Sequence, residues 1–381
     1  MTGPSLLVVA GEASGDRAAA AVVERLPGVH AFGMGGDALA SRGVEIVRHL
    51  RASTGLGIGS AARRALAVVQ AWRAVRAASN RRRPAAALLV NYSEFNARLA
   101  PHLHAAKVPV LWYGAPQVWA WRRRRAALLA PDVDVMAVML PFEEEIWRRA
   151  GAHVTYVGHP ALEARLLSRE AARATFDLTP YAAAIALLPG SRPHEVRRML
   201  PSMIEAYRRL RMDRASVDCR VLVASSLDAA TRSWLRQTCL DARVRTFDVG
   251  ATDGAAPLLK AFDAALCASG TASLEAALAR TIPIVVYRVD ALTEVVARLL
   301  VQSAHIALPN IILGRRAFPE LVQRDAEPDR MFDALVRALD EREGLLVACD
   351  EVESAFRGAR TPSVAVANVL AGWLGAARRP P

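Results

Sequence analysis

Four short polar segments hold most of the side chains able to do chemistry, and each follows an apolar run and leads into a helical pattern. GEASGD (residues 11–16) sets Glu12, Ser14 and Asp16 among Gly11 and Gly15, which permit close approach to a ligand. NYSEFN (residues 91–96) offers the Glu94 carboxylate, suited to general-base work, with Asn96 close behind it. LLPGSRPHE (residues 187–195) makes a tight turn at Pro189 and Gly190 and opens a helix with Ser191 and Arg192, a cation able to neutralise a diphosphate leaving group. ASGTASLEAAL (residues 268–278) passes from a strand through Ser269, Gly270 and Thr271 into a helix whose free N–H groups and dipole favour an anion, with Glu275 one turn on and placed to accept from a ribose diol. Each has a plainer reading: Ser14, Asp16 or Thr271 as a helix cap, Glu94 as an acid favoured by the dipole, Arg192 as a surface cation.

Three further stretches have two readings. WYGAPQVWAWRRRR (residues 112–125) places aromatics, Trp119 and Trp121 among them, beside four arginines: a sugar platform or membrane-interface belt, or core aromatics ahead of a basic surface. The helical pattern over residues 61–83 carries Arg63, Arg64, Arg73, Arg76, Arg81, Arg82 and Arg83 with Trp72, a candidate contact for anionic lipid or a solvated face. Asp132 and Asp134 spell the DVD of metal-dependent glycosyltransferases but open a strand, the wrong end for a ligand, so no metal site is expected. LPGSRP lacks the GK[ST] of a Walker loop, and GEASGD breaks the dinucleotide spacing, which disfavours NAD.

The elements that must position these segments are apolar runs separated by helical patterns. Runs at residues 5–10, 85–91, 108–113 and 133–140, then at 185–190, 220–225, 263–270 and 282–287, are apolar on both faces, as in parallel sheets covered on both sides. The restart predicts an α/β chain of two Rossmann-like doubly wound domains facing a central cleft, residues 1–165 and 166–361. A helix at about 362–381 is expected to pack back on the first domain or on a partner subunit. With 381 residues, 53% hydrophobic and 23% charged, two globular domains fit. The 49 basic against 37 acidic residues give +12, nearly all from arginine, which suits a phosphorylated substrate, an anionic membrane face or nucleic acid. No recognised nucleic-acid module supports the last. Four scattered cysteines exclude a zinc or disulfide framework, and no uncharged run is long enough to cross a bilayer.

Taken in order, the segments resemble the lipid-A-disaccharide synthase family, glycosyltransferases of the GT-B fold. The match runs through GEASGD, GMGG (33–36), NYSEFN, APQVWAWR, LPFE (140–143), VGHP (157–160), LPGSR, ASGTASLE, PIVVYR, LPN (308–310) and PELVQ (319–323). The resemblance implies inverting transfer of 2,3-diacylglucosamine from UDP to 2,3-diacylglucosamine 1-phosphate (lipid X), with no metal or cofactor. It implies a UDP-sugar site at Gly190, Ser191, Arg192, Ser269, Gly270, Thr271, Ala272 and Glu275, with Tyr287, Asn310 and Gln323 lining it. The acceptor would lie near Glu12, Ser14, Gly15, Asp16, Asn96, Trp119 and Trp121. Where the family reads D-x-P-D-F-N this chain has Asn91 and Glu94, so the base is expected at Glu94, with Asp16 as fallback. Acylated substrates further imply a cytoplasmic protein resting on the inner face of the inner membrane, and the family suggests a homodimer. The rivals are a paralogue or epimerase using non-acylated UDP-N-acetylglucosamine, and a silent UDP-sugar or phospholipid-binding protein.

Overall fold

The computed structural model describes residues 3–50, 61–121, 123–250, 253–288, 303–359 and 361–376. Arg122 and the side chains of Arg63, Arg64 and Trp121 lie outside the described part. The chain forms two compact units, Met1–Glu163 with Gly358–Pro381, and Ala164–Arg357.

The first unit is built on seven parallel strands: β1 Ser5–Ala10, β2 His30–Gly35, β3 Glu45–His49, β4 Ala86–Val90, β5 Val110–Tyr113, β6 Val135–Val138 and β7 Val154–Tyr156. Their order is β3-β2-β1-β4-β5-β6-β7. Side chains alternate across the sheet, so β1 sends Leu6, Val8 and Ala10 into one apolar layer and Leu7 and Val9 into the other. The strand positions read as apolar on both faces are those enclosed on both faces. Gly33 in β2 has no alternative, since a Cβ there would lie 1.9 Å from the carbonyl oxygen of Val8.

The second unit repeats the winding with six strands: β8 Ala184–Leu188, β9 Asp218–Val223, β10 Arg245–Asp248, β11 Ala264–Ala268, β12 Ile282–Tyr287 and β13 Glu320–Val322. Their order is β10-β9-β8-β11-β12-β13. In each sheet the first strand sits inside, the next two extend to one side, and the later strands extend to the other. Successive connections therefore diverge between β1 and β4 and between β8 and β11, and that divergence opens a crevice at the carboxyl ends of the strands.

The last helix, Pro362–Ala376, returns to the first unit and buries Val366, Ala367, Leu370 and Leu374 in the layer that holds Ala18 and Val22. Its opening N–H groups cannot pair within the helix. Glu163 supplies a partner, accepting from Ser363 N at 3.1 Å and from Ser363 Oγ at 2.5 Å. No described helix is long and apolar enough to cross a membrane. Replacing Glu163 with Ala removes this cap, with an expected cost of about 1–2 kcal/mol in chemical denaturation. Limited proteolysis of the variant should release the C-terminal helix sooner than in the parent protein.

Candidate active site

All four polar segments emerge at the two divergence points. In the first unit β1 runs into Gly11, and Glu12 takes the N-cap of the helix Ala13–Val23. Gly11 is needed because a Cβ there would fall 2.2 Å from Cγ of Tyr92, so the Tyr92 ring lies on its backbone. β4 runs into Asn91 and Tyr92, both left-handed with φ of 49 and 42. That conformation is uncommon for side-chain-bearing residues and concentrates where function fixes the backbone. Asn91 Nδ2 donates to Glu12 Oε1 at 2.9 Å, and Ser14 Oγ donates to the same oxygen at 3.2 Å. The Asn91 carbonyl accepts from Asn96 Nδ2 at 2.8 Å and from Trp112 Nε1 at 3.2 Å. Asn96, fully buried, thus holds the turn. Glu94 stands exposed in the first turn of the helix Ser93–Ala105, where Arg125 donates to both of its oxygens.

Two residues proposed from sequence as ligand contacts serve the scaffold. Asp16 is 4% exposed, and its carboxylate accepts from the N–H groups of Gly36 at 2.6 Å, Ala38 at 2.9 Å and Leu39 at 3.4 Å. It caps the short helix Asp37–Ser41, and the GMGG glycines make the room, because a Cβ at Gly36 would lie 2.7 Å from Asp16 Oδ2. Burial raises its pKa despite these bonds. A carboxylate turned inward this way is poorly placed to take a substrate proton. Trp119 is also buried, packed edge-on against Phe142 at 5.2 Å with its indole N–H donating to Glu143 Oε1 at 3.0 Å. Its faces belong to the core and are not a sugar platform. Asp134 accepts from Val110 N at 2.7 Å at the amino ends of the strands, away from the crevice, as the DVD position implied.

In the second unit β8 runs into Pro189 and Gly190, whose φ of 118 and tight surroundings both call for glycine, since a Cβ would lie 2.6 Å from Glu195 Oε2. Arg192 then caps the helix Pro193–Asp213. Glu195 reaches back, accepting from Ser191 N and Arg192 N at 3.3 Å each and from Arg192 Nη1 at 3.0 Å. The Arg192 guanidinium is thereby aimed while 54% of its side chain stays exposed. Across the divergence point, β11 runs into Ser269 and Gly270, and Gly270 at φ 134 has open space where a Cβ would be. The helix Thr271–Leu278 starts there with Thr271 and Ala272 half-buried and Glu275 buried within it. This amide-rich helix mouth has the form an anion requires.

Tyr287 is half-buried at the end of β12, and Gln323 follows β13 with a left-handed φ of 55. Asn310 has a different task. Fully buried, it donates to Phe318 O at 2.9 Å and Glu320 Oε1 at 2.8 Å, and accepts from Ala317 N at 3.0 Å and Phe318 N at 2.9 Å. All of its amide atoms have partners within the protein, where it ties the helix Leu308–Leu313 to the segment leading into β13.

Sequence reasoning passed over three carboxylates that organise these turns: Glu143, Glu195 and Glu320. All lie inside recognised motifs, but an acid in a first helical turn, or in a strand, carries no mark of the N–H groups it will meet. Glu143 is the sharpest case. Its oxygens accept from Trp119 Nε1, from Met139 N at 3.2 Å and from Leu140 N at 3.0 Å, yet burial outweighs these bonds and pushes its pKa up to about 7. A folded-state pKa above the unfolded value stabilises the fold fully below pH 4.5, and that contribution is lost as pH rises to about 7. The shift is worth about 3 kcal/mol at most. Glu143→Gln should flatten the dependence of Tm on pH across this window. It should also lower Tm at pH 5, where an amide nitrogen must face one of three donors, at about 1–3 kcal/mol.

The family model described as lipid-A-disaccharide synthetase matches residues 6–362. The lipid-A-disaccharide synthase of Anaeromyxobacter dehalogenans (strain 2CP-C) is 39% identical over 375 residues, covering 96% of each chain. That of Myxococcus xanthus (strain DK1622) is 40% identical over 342 residues, covering 88% of each. Among solved structures, a UDP-GlcNAc 2-epimerase from Neisseria meningitidis bound to UDP-GlcNAc superposes with a TM-score of 0.68 at 11% identity, covering 97% of this chain and all of that one. The calicheamicin glycosyltransferase CalG4 superposes at 0.62 with 13% identity, covering both chains fully. At such identities these two define the fold, that of GT-B glycosyltransferases and epimerases, and nothing more. The continuous match along the sequence is specific where the fold is shared: this chain belongs to the lipid-A-disaccharide synthase family of glycosyltransferases.

Proposed function

We propose that this chain transfers 2,3-diacylglucosamine from UDP to the 6-hydroxyl of 2,3-diacylglucosamine 1-phosphate. The acceptor oxygen forms a bond to the donor anomeric carbon as the bond from that carbon to the UDP oxygen breaks. The hydroxyl proton goes to a carboxylate, and the bonding pair leaves with UDP. The observation that carries the reading is the family match over residues 6–362, within which the four polar segments sit at the two divergence points.

The second unit would take the donor. Its diphosphate fits the mouth of Thr271–Leu278, where the N–H groups of Thr271 and Ala272 and the Ser269–Gly270 turn meet it, and Arg192 meets the charge that develops on UDP. Glu275 and Tyr287 fit the nucleoside and sugar, and Gln323 completes the wall. The first unit would take the acceptor at Glu12, Ser14 and Gly15, with Trp121 on the neighbouring short helix Val118–Trp121. Glu94 is the proposed base. Its pairing with Arg125 is an exposed ion pair, worth about 0–1 kcal/mol, so a substrate hydroxyl displaces Arg125 at little cost. No metal or cofactor is needed, since Arg192 and the helix mouth supply the positive charge.

A membrane-resting position is supported by the first unit's surface. Leu66 at 56% and Val69 at 38% exposure share a helix with the exposed Arg73 and Arg76, and Leu128, 75% exposed, lies near the exposed Arg123 and Arg124. Apolar side chains among cations suit an anionic lipid surface, here the inner face of the inner membrane. The C-terminal helix, exchanged between two copies, would remake the same contacts in a homodimer, which the mass in solution distinguishes from a monomer.

The deciding assay offers UDP-diacylglucosamine with its acylated 1-phosphate acceptor, and in parallel non-acylated UDP-N-acetylglucosamine. Turnover confined to the second substrate would favour a paralogue or epimerase and overturn the reading. Arg192→Ala should lower kcat by about 10²–10³-fold, and EDTA should leave the rate unchanged. The protein should sediment with anionic vesicles and be released by salt. Equal sedimentation with neutral vesicles would count against the charge-led contact.

A further inference from the structure

The short helix Val118–Trp121 follows β5 and leads on to the helix Arg125–Leu129, so its hold fixes the approach of Arg125 to Glu94. Four residues make too few internal hydrogen bonds to keep a helix in place by themselves. Two side chains anchor this one. Val118 is buried in the apolar layer beside Trp112, and Trp119 packs edge-on against Phe142 and donates its indole N–H to Glu143 Oε1 at 3.0 Å. The other carboxylate oxygen, Oε2, accepts from Met139 N and Leu140 N, in the turn that opens the helix Glu143–Arg149. Oε2 thus binds its own local turn, and Oε1 reaches a different segment. A carboxylate carries no hydrogen and accepts all three donors, whereas a carboxylic acid must put its hydrogen on one oxygen. On Oε2 that hydrogen would face two N–H groups fixed by the backbone. On Oε1 it faces the single N–H of a side chain, so the proton goes there and the indole loses its acceptor.

We infer that Glu143 is a positioning residue: ionised, it latches the helix Val118–Trp121 through Trp119, and on taking up a proton it releases that helix and weakens the acceptor site built on it. The latch stands on the geometry of the two turns; its effect on the acceptor rests on the function proposed above. Burial pushes the Glu143 carboxyl up to about 7, which brings the change into the neutral range. Among the described residues, the surrounding elements set no charge against it. Residues 114–121 and 139–142 carry no titratable group. The strands β6 and β7, on which its helix packs, contribute Tyr156, whose phenol burial holds protonated at about 12. On its own helix Glu144 and Glu145 are paired with Arg148 and Arg149.

The test compares the full-length parent with Trp119→Phe and Glu143→Gln. Phenylalanine keeps a ring against Phe142 but has no N–H to donate. The Trp119 emission, read as parent minus Trp119→Phe, should titrate between pH 5 and 9 with a midpoint at about 7. Glu143→Gln, with nothing to ionise, should lose that step. In turnover the acceptor's own phosphate titrates near pH ~6, so each KM is read as the ratio of variant to parent. For Trp119→Phe the acceptor ratio should be about tenfold at pH 8, where the parent's latch is closed, and approach one at pH 5.5. The donor ratio should stay at one throughout. A Trp119 emission that does not titrate would overturn the latch. An acceptor ratio that stays flat with pH would overturn the positioning role. Both readouts of Trp119→Phe decide the matter even if Glu143→Gln fails to fold. A parent protein with no turnover would count against the proposed function, while the emission step would still decide the latch.

Discussion

A parallel strand cannot turn directly back into its neighbour; the chain must cross over a face of the sheet, and successive crossovers either stay on one side or separate. Where they separate, the backbone at the strand ends has no continuing neighbour above it, and polar side chains and N–H groups can face outward without loss of sheet pairing. In this protein that happens between β1 and β4 and again between β8 and β11. The backbone there is shaped by conformations that ordinary residues avoid: Asn91 and Tyr92 in one unit, Gly190 and Gly270 in the other. Sheet topology chooses the place, and these turns decide what faces it.

A second theme is the inward use of carboxylates. Asp16, Glu143, Glu195 and Glu320 each gather N–H groups from a neighbouring turn, and Glu163 does the same for the last helix. Loops at such an edge hold many backbone donors that no strand or helix satisfies, and a buried acid with several partners satisfies them together. Among the described residues, the groups that remain at the strand ends include Arg192 held by Glu195, the mouth at Gly270, Glu12 held by Asn91, and Glu94 on an exposed turn.

The interior strands were legible because burial on both faces forces a continuous apolar run, which β1 and β12 follow residue for residue. The edge strands β3, β7, β10 and β13 were not. They are short and partly exposed, so their composition resembles that of loops. β2 hides behind Gly33 and Gly35, whose lack of a side chain weakens a strand signal although close packing requires them. The four functional turns were visible because a glycine and a hydroxyl or acid directly after an apolar run has few structural uses. The direction of a side chain was not visible. Asp16, Trp119 and Asn310 belong to the same motifs as the residues facing the crevices, yet they point into the protein, and only the partners brought by distant segments show it.

The pairing of Glu163 with Ser363 ties together two points that bracket the whole second unit. The second unit is thus an insertion within the first, and the helix that covers the first unit's core is translated after the whole of the second. A nascent chain can fold residues 164–357 as a complete body while the earlier unit still lacks one wall. The unit begun first is therefore completed after the second, and loss of the helix Pro362–Ala376 would strip cover from an amino-terminal layer made hundreds of residues earlier.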